Sequence, residues 1–174
     1  GSLLVKIHKG LHELHRVGVL EEVRTAVHGA QAAGAGPVAA AFADGAEQVR
    51  PVRPQTIARS LAIGNPADGR YVLRIARETG GTVLAVSDAL MVEGITLLAE
   101  TEGIFTETAG GVTVAVLREL AARGAVGAEE IVVAYITGTG LKTVEALDGA
   151  LAPAVTIGAG LRDFERHVLD RVLA

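Results

Sequence analysis

Apolar positions recur along this chain with two different periods, and the switches between them mark its elements. Behind Ser2, Leu3, Leu4, Ile7, Leu11 and Leu14 fall on one helical face. This predicts an N-capped amphipathic helix running to about Val17 and ended by Gly18. Residues 24–31 read as a short strand entering a glycine turn, and Pro37 sits just inside a helix over 38–42. From Asp44 to Asp68 neither period holds, and Pro51, Pro54 and Pro66 interrupt. A long connection is expected there, of a length that in compact domains is often functional. A helix then runs from Pro66 to about Glu78, closed by Gly80-Gly81, and residues 82–86 form a strand. Ser87-Asp88 caps a helix that buries Leu90, Met91, Ile95 and Leu98 and ends near Gly103. Residues 103–111 read as a loop feeding a helix from Val112 to Arg123. Ile131 to Ile136 is an unbroken apolar run rich in β-branched residues, the pattern of a strand buried on both faces. After Asp148 come Pro153, a short apolar piece over 154–157 and a last helix from about Leu161 to Leu173.

Helix and strand alternate three times, which predicts an α/β fold. The expected architecture is three-layered: a mostly parallel sheet with helices on both faces and right-handed crossovers. Three clear strands and a doubtful fourth make a thin sheet for 174 residues, so part of a larger α/β domain is expected. Composition refines this picture in few respects. The chain is 49% hydrophobic but only 3% aromatic, so Ala, Val, Leu and Ile must fill the core. A net charge of -4 without a basic block argues against nucleic acid as a partner. The absence of cysteine removes disulfides, thiolate metal sites and a cysteine nucleophile. No apolar run reaches the roughly 18 residues of a membrane span, and a cytoplasmic protein is expected. The opening at Gly1-Ser2 without methionine reads as an expression scar or a cut inside a longer protein.

Three stretches carry candidate chemistry. His8, His12 and His15 share one helical face; with no acidic partner close by, a solvated face is expected and no metal. The amides of the Gly103–Gly111 loop can receive an anion or a flat ring, with a tight helix entrance at its glycine pair as the alternative. Thr137-Gly138-Thr139-Gly140 ends the third predicted strand. Ligands of open α/β sheets sit beyond the carboxyl ends of the strands. A hydroxyl there either contacts a ligand or caps a turn, and spacing leaves both open.

Taken in order, five segments resemble the fold type II pyridoxal-phosphate enzymes, the tryptophan-synthase-β type. Gly1-Ser2-Leu3-Leu4 is similar to the end of the loop that holds the cofactor phosphate, and Gly29-Ala30-Gln31 to the strand end that follows. The segment from Thr56 through Gly64-Asn65-Pro66 resembles threonine synthases more than dehydratases. Val86-Ser87-Asp88 with residues 98–107 looks like the helix and loop facing the cofactor ring, and residues 136–142 like the strand end near its nitrogen. The resemblance implies an incomplete large domain, with residues 1–174 as its carboxy-terminal part and a helical tail from about 150. It implies pyridoxal 5'-phosphate as cofactor, Gly1 and Ser2 at its phosphate and the Thr137 hydroxyl at its pyridine nitrogen. Asn65, Glu107, Thr108, Ala109 and Gly110 would line the substrate and ring.

Two departures stand out. Relatives carry Glu-Pro-Ala-Ser or Glu-Pro-Ala-Ala where this chain has Glu107-Thr108-Ala109-Gly110-Gly111, and Asp-Pro where Thr143-Val144 follow Lys142. The Schiff-base lysine of these enzymes precedes the phosphate loop, and none of Lys6, Lys9 and Lys142 sits in a matching motif. This stretch alone is therefore expected not to catalyse. The activity implied is that of a threonine synthase, a lyase making L-threonine and phosphate from O-phospho-L-homoserine and water. The partners implied are that amino-acid substrate, the missing amino-terminal half and a second copy in a homodimer. Threonine/serine dehydratase and cysteate synthase share the scaffold. Outside the family, a non-catalytic α/β module pairing with another chain would also fit the pattern.

Overall fold

A computed structural model describes residues 1–150 and 155–169. Its helices are α1 (Ser2–Arg16), α2 (Pro37–Ala43), α3 (Gly69–Glu78), α4 (Asp88–Glu102), α5 (Thr108–Ala122) and the short α6 (Leu161–Phe164). Two strands, β1 (Gly29–Ala32) and β2 (Val83–Val86), pair in parallel with Gly29 opposite Val83 and Ala32 opposite Val86. The crossover between them carries α2 and α3, as a parallel connection requires.

The four-residue strands divide the core in two by simple alternation. Ala30, Ala32, Leu84 and Val86 face α4 and α5, joining Met91, Val112, Ala115, Val116 and Leu120. Val83 faces the other way, against Val38, Ala39 and Ala41 of α2 and Val72, Leu73 and Ala76 of α3. Helices therefore cover both faces of a parallel sheet, as expected. Gln31 points to the α2 side, and its Oε1 accepts from the amides of Val38 at 3.0 Å and Ala39 at 2.8 Å. This side chain caps α2, whose own N-cap, Gly36, offers none.

Small residues set the spacing of the best-packed helix pair. A Cβ on Gly111 of α5 would lie 2.5 Å from the Met91 carbonyl oxygen and 2.6 Å from Ile95 Cγ1 of α4. A Cβ on Gly94 of α4 would overlap the Gly111 carbonyl oxygen. The two backbones touch, and no side chain separates them.

Most helix ends match the signals in the sequence. Ser87 Oγ accepts from the Leu90 amide at 3.3 Å, and Gly103, with φ 68°, closes α4 in the left-handed region. Several expectations are corrected. Ser2 is the first residue of α1, with Gly1 as an N-cap that gives no side-chain bond. The strand expected over 24–31 forms only over Gly29–Ala32, because only there does β2 supply a partner. The helix expected from Pro66 begins at Gly69, after a turn in which the Gly69 amide donates to the Pro66 carbonyl. The last helix is α6 followed by a π-turn over Glu165–Leu169; residues 170–173 of that expectation lie outside the described residues, as do Pro153 and Ala154.

The largest correction concerns residues 131–136. No strand forms there, and among the described residues no backbone hydrogen bond engages them. Ile131 is 96% exposed and Val133 69%. A strand exists only where a neighbouring backbone takes its amides and carbonyls. β1 and β2 pair with each other, and among the described residues no backbone hydrogen bond joins either strand to this run.

His28, just before β1, keeps its Nδ1 buried without a partner among the described residues. Burial lowers its proton affinity below the ordinary value of 6.5, with Glu130 opposing. The folded chain therefore binds this proton less readily than the unfolded chain does, so the contribution is present above pH 6.5 and is lost as pH falls below it. We expect the melting temperature to fall between about pH 7.5 and 5.5, and to fall less steeply in His28→Gln. Parallel melting profiles for the two proteins would contradict this.

Candidate functional site

The Thr137–Gly140 turn is folded onto the start of α5. The Gly138 carbonyl accepts from the Glu107 amide at 3.0 Å and from Thr106 Oγ1 at 3.1 Å. Thr106 and Thr139 form an antiparallel bridge, and the Gly140 amide donates to the Phe105 carbonyl at 3.0 Å. Thr139 Oγ1 caps the 3-10 turn Gly140–Lys142 through the Leu141 amide, so the capping role falls on Thr139. Thr137 is exposed, and among the described residues no hydrogen bond engages its hydroxyl.

Glycine makes this contact possible. A Cβ on Gly138 would overlap the Glu107 carboxylate, and one on Gly110 would overlap Thr106 Oγ1. The polar residues so gathered are withdrawn from water: Thr106 is 1% exposed, Glu107 7% and Thr108 0%. Glu107 Oε1 lies 3.9 Å from Lys142 Nζ, a long contact to an exposed lysine. The Thr108 amide donates to Thr143 Oγ1 at 3.3 Å, while Thr108 Oγ1 is buried with no partner among the described residues. An orphaned buried hydroxyl is costly, about 1–3 kcal/mol, and marks a place where a polar group is still to be accommodated.

The segment expected to be a loop over 103–111 is thus partly helix. α5 begins at Thr108, four residues before Val112, so Thr108, Ala109 and Gly110 form its first turn and Glu107 is its N-cap. The glycine pair that reads as a loop serves helix packing instead. The first-turn amides of this 15-residue helix point to its start, where the positive end of its dipole lies.

The remaining expected site residues lie elsewhere. Gly1 packs on α3, where its Cβ would meet Val72 Cγ2 at 2.6 Å and Asp68 Cβ at 3.5 Å. Ser2 opens α1 with its side chain exposed. Asn65 is exposed, in the connection that leads to Asp68. No described contact joins Gly1 or Ser2 to Thr137. The 44–68 connection reaches toward both groups, since Asp68 meets Gly1 and Arg59 lies 3.5 Å from Glu145.

Sequence reasoning missed how that connection is held. Thr56 Oγ1 donates to Asp88 Oδ1 at 2.5 Å and the Ile57 amide to Oδ2 at 3.0 Å. The Gln55 amide donates to the Gly34 carbonyl at 2.8 Å. Residues 55–57 therefore cross just beyond the carboxyl ends of β1 and β2, where open parallel sheets place their ligands. The Ser87-Asp88 pair was legible only as a cap. The three lysines are exposed: Lys9 pairs with Glu13 at 3.4 Å, Lys142 approaches Glu107, and Lys6 faces solvent.

The histidines do not act as a trio. His15 Nδ1 lies 3.0 Å from the Leu20 carbonyl oxygen, whereas His8 and His12 turn their Nε2 atoms to each other at 3.1 Å. Burial and then His12 lower the proton affinity of His8; Glu78 of α3 opposes and Arg74 adds to the lowering. Among the described residues no cluster of three or more His, Asp or Glu is arranged to hold a metal ion. None of the described helices is long and apolar enough to cross a membrane.

A parallel strand pair covered by helices, with glycine-rich turns and small polar side chains at the helix starts, belongs to the α/β class that builds ligand sites at strand ends. The model of one family, pyridoxal-phosphate dependent enzyme, matches residues 1–138, and the chain belongs to that family. It is 35% identical over 168 residues to the threonine synthase of Methanocaldococcus jannaschii, across 96% of this chain and 40% of that protein. To the threonine synthase of Methanosarcina acetivorans it is 36% identical over 140 residues, across 80% of this chain and 34% of that protein. Among solved structures, a threonine deaminase of T.th. superposes with a TM-score of 0.51 at 21% identity, over 71% of this chain and 42% of that one, a likeness of fold. The chain thus spans well under half the length of the curated relatives it matches.

Proposed function

We propose that residues 1–174 are the carboxy-terminal part of the cofactor-binding domain of a threonine synthase, with a helical tail from about 150. The reaction is conversion of O-phospho-L-homoserine and water to L-threonine and phosphate, a carbon–oxygen lyase reaction. The observation that carries it is the 35% identity to a threonine synthase across 96% of the chain. The partners proposed with it are the amino-terminal part of the same protein, which would bring the Schiff-base lysine, and a second copy in a cytoplasmic homodimer.

Pyridoxal phosphate, when bound, supplies an electron sink for charge that develops on the substrate's carbon atoms. The residues present suit such a group. Thr137 offers a free hydroxyl on a turn pinned by buried hydrogen bonds, and a neutral hydroxyl at the pyridine nitrogen does not fix a proton there as a carboxylate would. Gly1 and Ser2 stand at the start of α1, whose first-turn amides no side chain caps, a suitable place for a phosphate. Thr108 brings its orphaned hydroxyl to the start of α5 beside Glu107, Ala109 and Gly110, where a polar substrate group can be received. Asn65 is assigned to the substrate side on the resemblance of its segment.

The test is product analysis with the full-length protein and phosphohomoserine. Equal yields of threonine and phosphate are expected; phosphate released without threonine would exclude this activity. Thr137→Val removes one hydrogen bond to the ring and should lower kcat about tenfold, with a shift in the cofactor's absorbance. An unchanged kcat and spectrum would remove Thr137 from the site while leaving the activity itself standing.

A further inference from the structure

We propose that His8 and His12 form a two-imidazole chelate for a divalent transition-metal ion on one face of α1. The pair is separate from the cofactor residues and does not depend on the reaction proposed above. Residues four apart on a helix lie one above the other, so their side chains can meet. Here they meet through the ligating atoms, with Nε2 to Nε2 at 3.1 Å and the ring planes inclined at 66°.

That separation suits a shared ion. Two nitrogens about 2.0–2.1 Å from one metal lie about 2.9 Å apart at a right angle and about 3.3 Å apart at a tetrahedral angle. The observed distance falls between these, so neither ring has to move far. The contact also requires that one ring donate and the other accept. One Nε2 thus already carries a lone pair turned to its neighbour, and the donor ring has only to lose its Nε2 proton, or move it to Nδ1, for both to ligate.

The neighbourhood admits an ion. His12 is exposed and His8 half-buried, which leaves water to complete the coordination. Lys9 is drawn away to Glu13 at 3.4 Å, and Arg74 of α3 leans towards Glu78 at 3.9 Å. Glu78 is the acidic group whose charge reaches His8. His15 is not part of the pair: the close Nε2 contact joins only His8 and His12, and His15 turns its Nδ1 to the Leu20 carbonyl. Imidazole ligands without thiolate or a carboxylate cage favour the later metals, with copper(II) strongest and nickel(II) and zinc(II) behind it.

The test is calorimetric titration of the tag-free full-length protein with copper(II), nickel(II) and zinc(II), beside His12→Ala and His15→Ala. His12 is exposed on a helix with no buried residue, so its loss leaves the fold intact, which circular dichroism checks. One site per chain should be lost, or weakened roughly tenfold or more, in His12→Ala and kept in His15→Ala, with copper(II) tightest. Electron paramagnetic resonance of the copper(II) form should show two equivalent nitrogens, reduced to one in His12→Ala. Equal binding by wild type and His12→Ala, or equal loss in His15→Ala, would overturn the proposal.

Discussion

Replacing Gly94 by alanine is expected to destabilise the protein by about 2 kcal/mol or more, although alanine is the better helix former. The same substitution at Gly10 of α1 is expected to be neutral or to stabilise by roughly 0.5–1 kcal/mol. The two glycines differ only in what lies beyond them. A Cβ at Gly10 would meet nothing within 4 Å, whereas one at Gly94 would overlap the Gly111 carbonyl and come 3.1 Å from the Ala115 amide nitrogen. Both obstacles are backbone, so no rotamer change relieves them, and α4 must move off α5. That movement would loosen Met91, Ile95 and Val112, which are among the most buried side chains of the chain. Urea unfolding of the two variants of the full-length protein checks this. Midpoints shifted together would show that helix propensity, and not the contact, governs.

The second large effect is expected at Asp88. Its carboxylate accepts from Thr56 Oγ1 and from the Ile57 amide, and it stands in the first turn of α4, where a negative charge is favoured. Asp88→Ala should cost about 2 kcal/mol, since charge-assisted hydrogen bonds contribute more than neutral ones, partly offset because the Ile57 bond is exposed. Asp88→Asn, which keeps one acceptor oxygen, should lie between. The sharper readout is local: limited proteolysis should cut within residues 44–68 in Asp88→Ala well before the wild type is cut. Resistance equal to wild type would show that the connection is held by its other contacts, such as Gln55 to Gly34.

The helices were legible because their signals are local. Pro37 at the start of α2, Ser87 before α4 and Gly103 after it each act within one turn, and the observed ends follow them. The start of α5 was not legible, because Gly110-Gly111 reads as a break when nothing shows the helix packed against it. The reason for those glycines is Met91, Ile95 and Thr106, brought close by the fold. Residues 131–136 show the converse. Their apolar β-branched run is genuine strand material, but pairing is a property of two segments, and a run read alone contains no information about its neighbour.

The site was legible in the same uneven way. Spacing left the Thr137 hydroxyl open between ligand contact and turn cap, and only the family resemblance set it beside the Glu107–Gly110 segment; nothing in the sequence said that the two turns touch. That contact rests on the Gly138 carbonyl and on Thr106, a residue with no distinguishing pattern around it. Gly1, matched by the same resemblance, packs on α3, and Ser2 beside it is exposed; no described contact joins either to Thr137.

Gln31 ties two stages of folding together. The donors that open α2 are answered by a side chain carried on β1, and Gln31 faces α2 only when the strand is set in its register with β2. A slip of one residue would turn Gln31 to the opposite face and leave the Val38 and Ala39 amides bare. A misregistered pairing would therefore forfeit the cap on the first turn of α2, and that loss penalises every alignment but the native one.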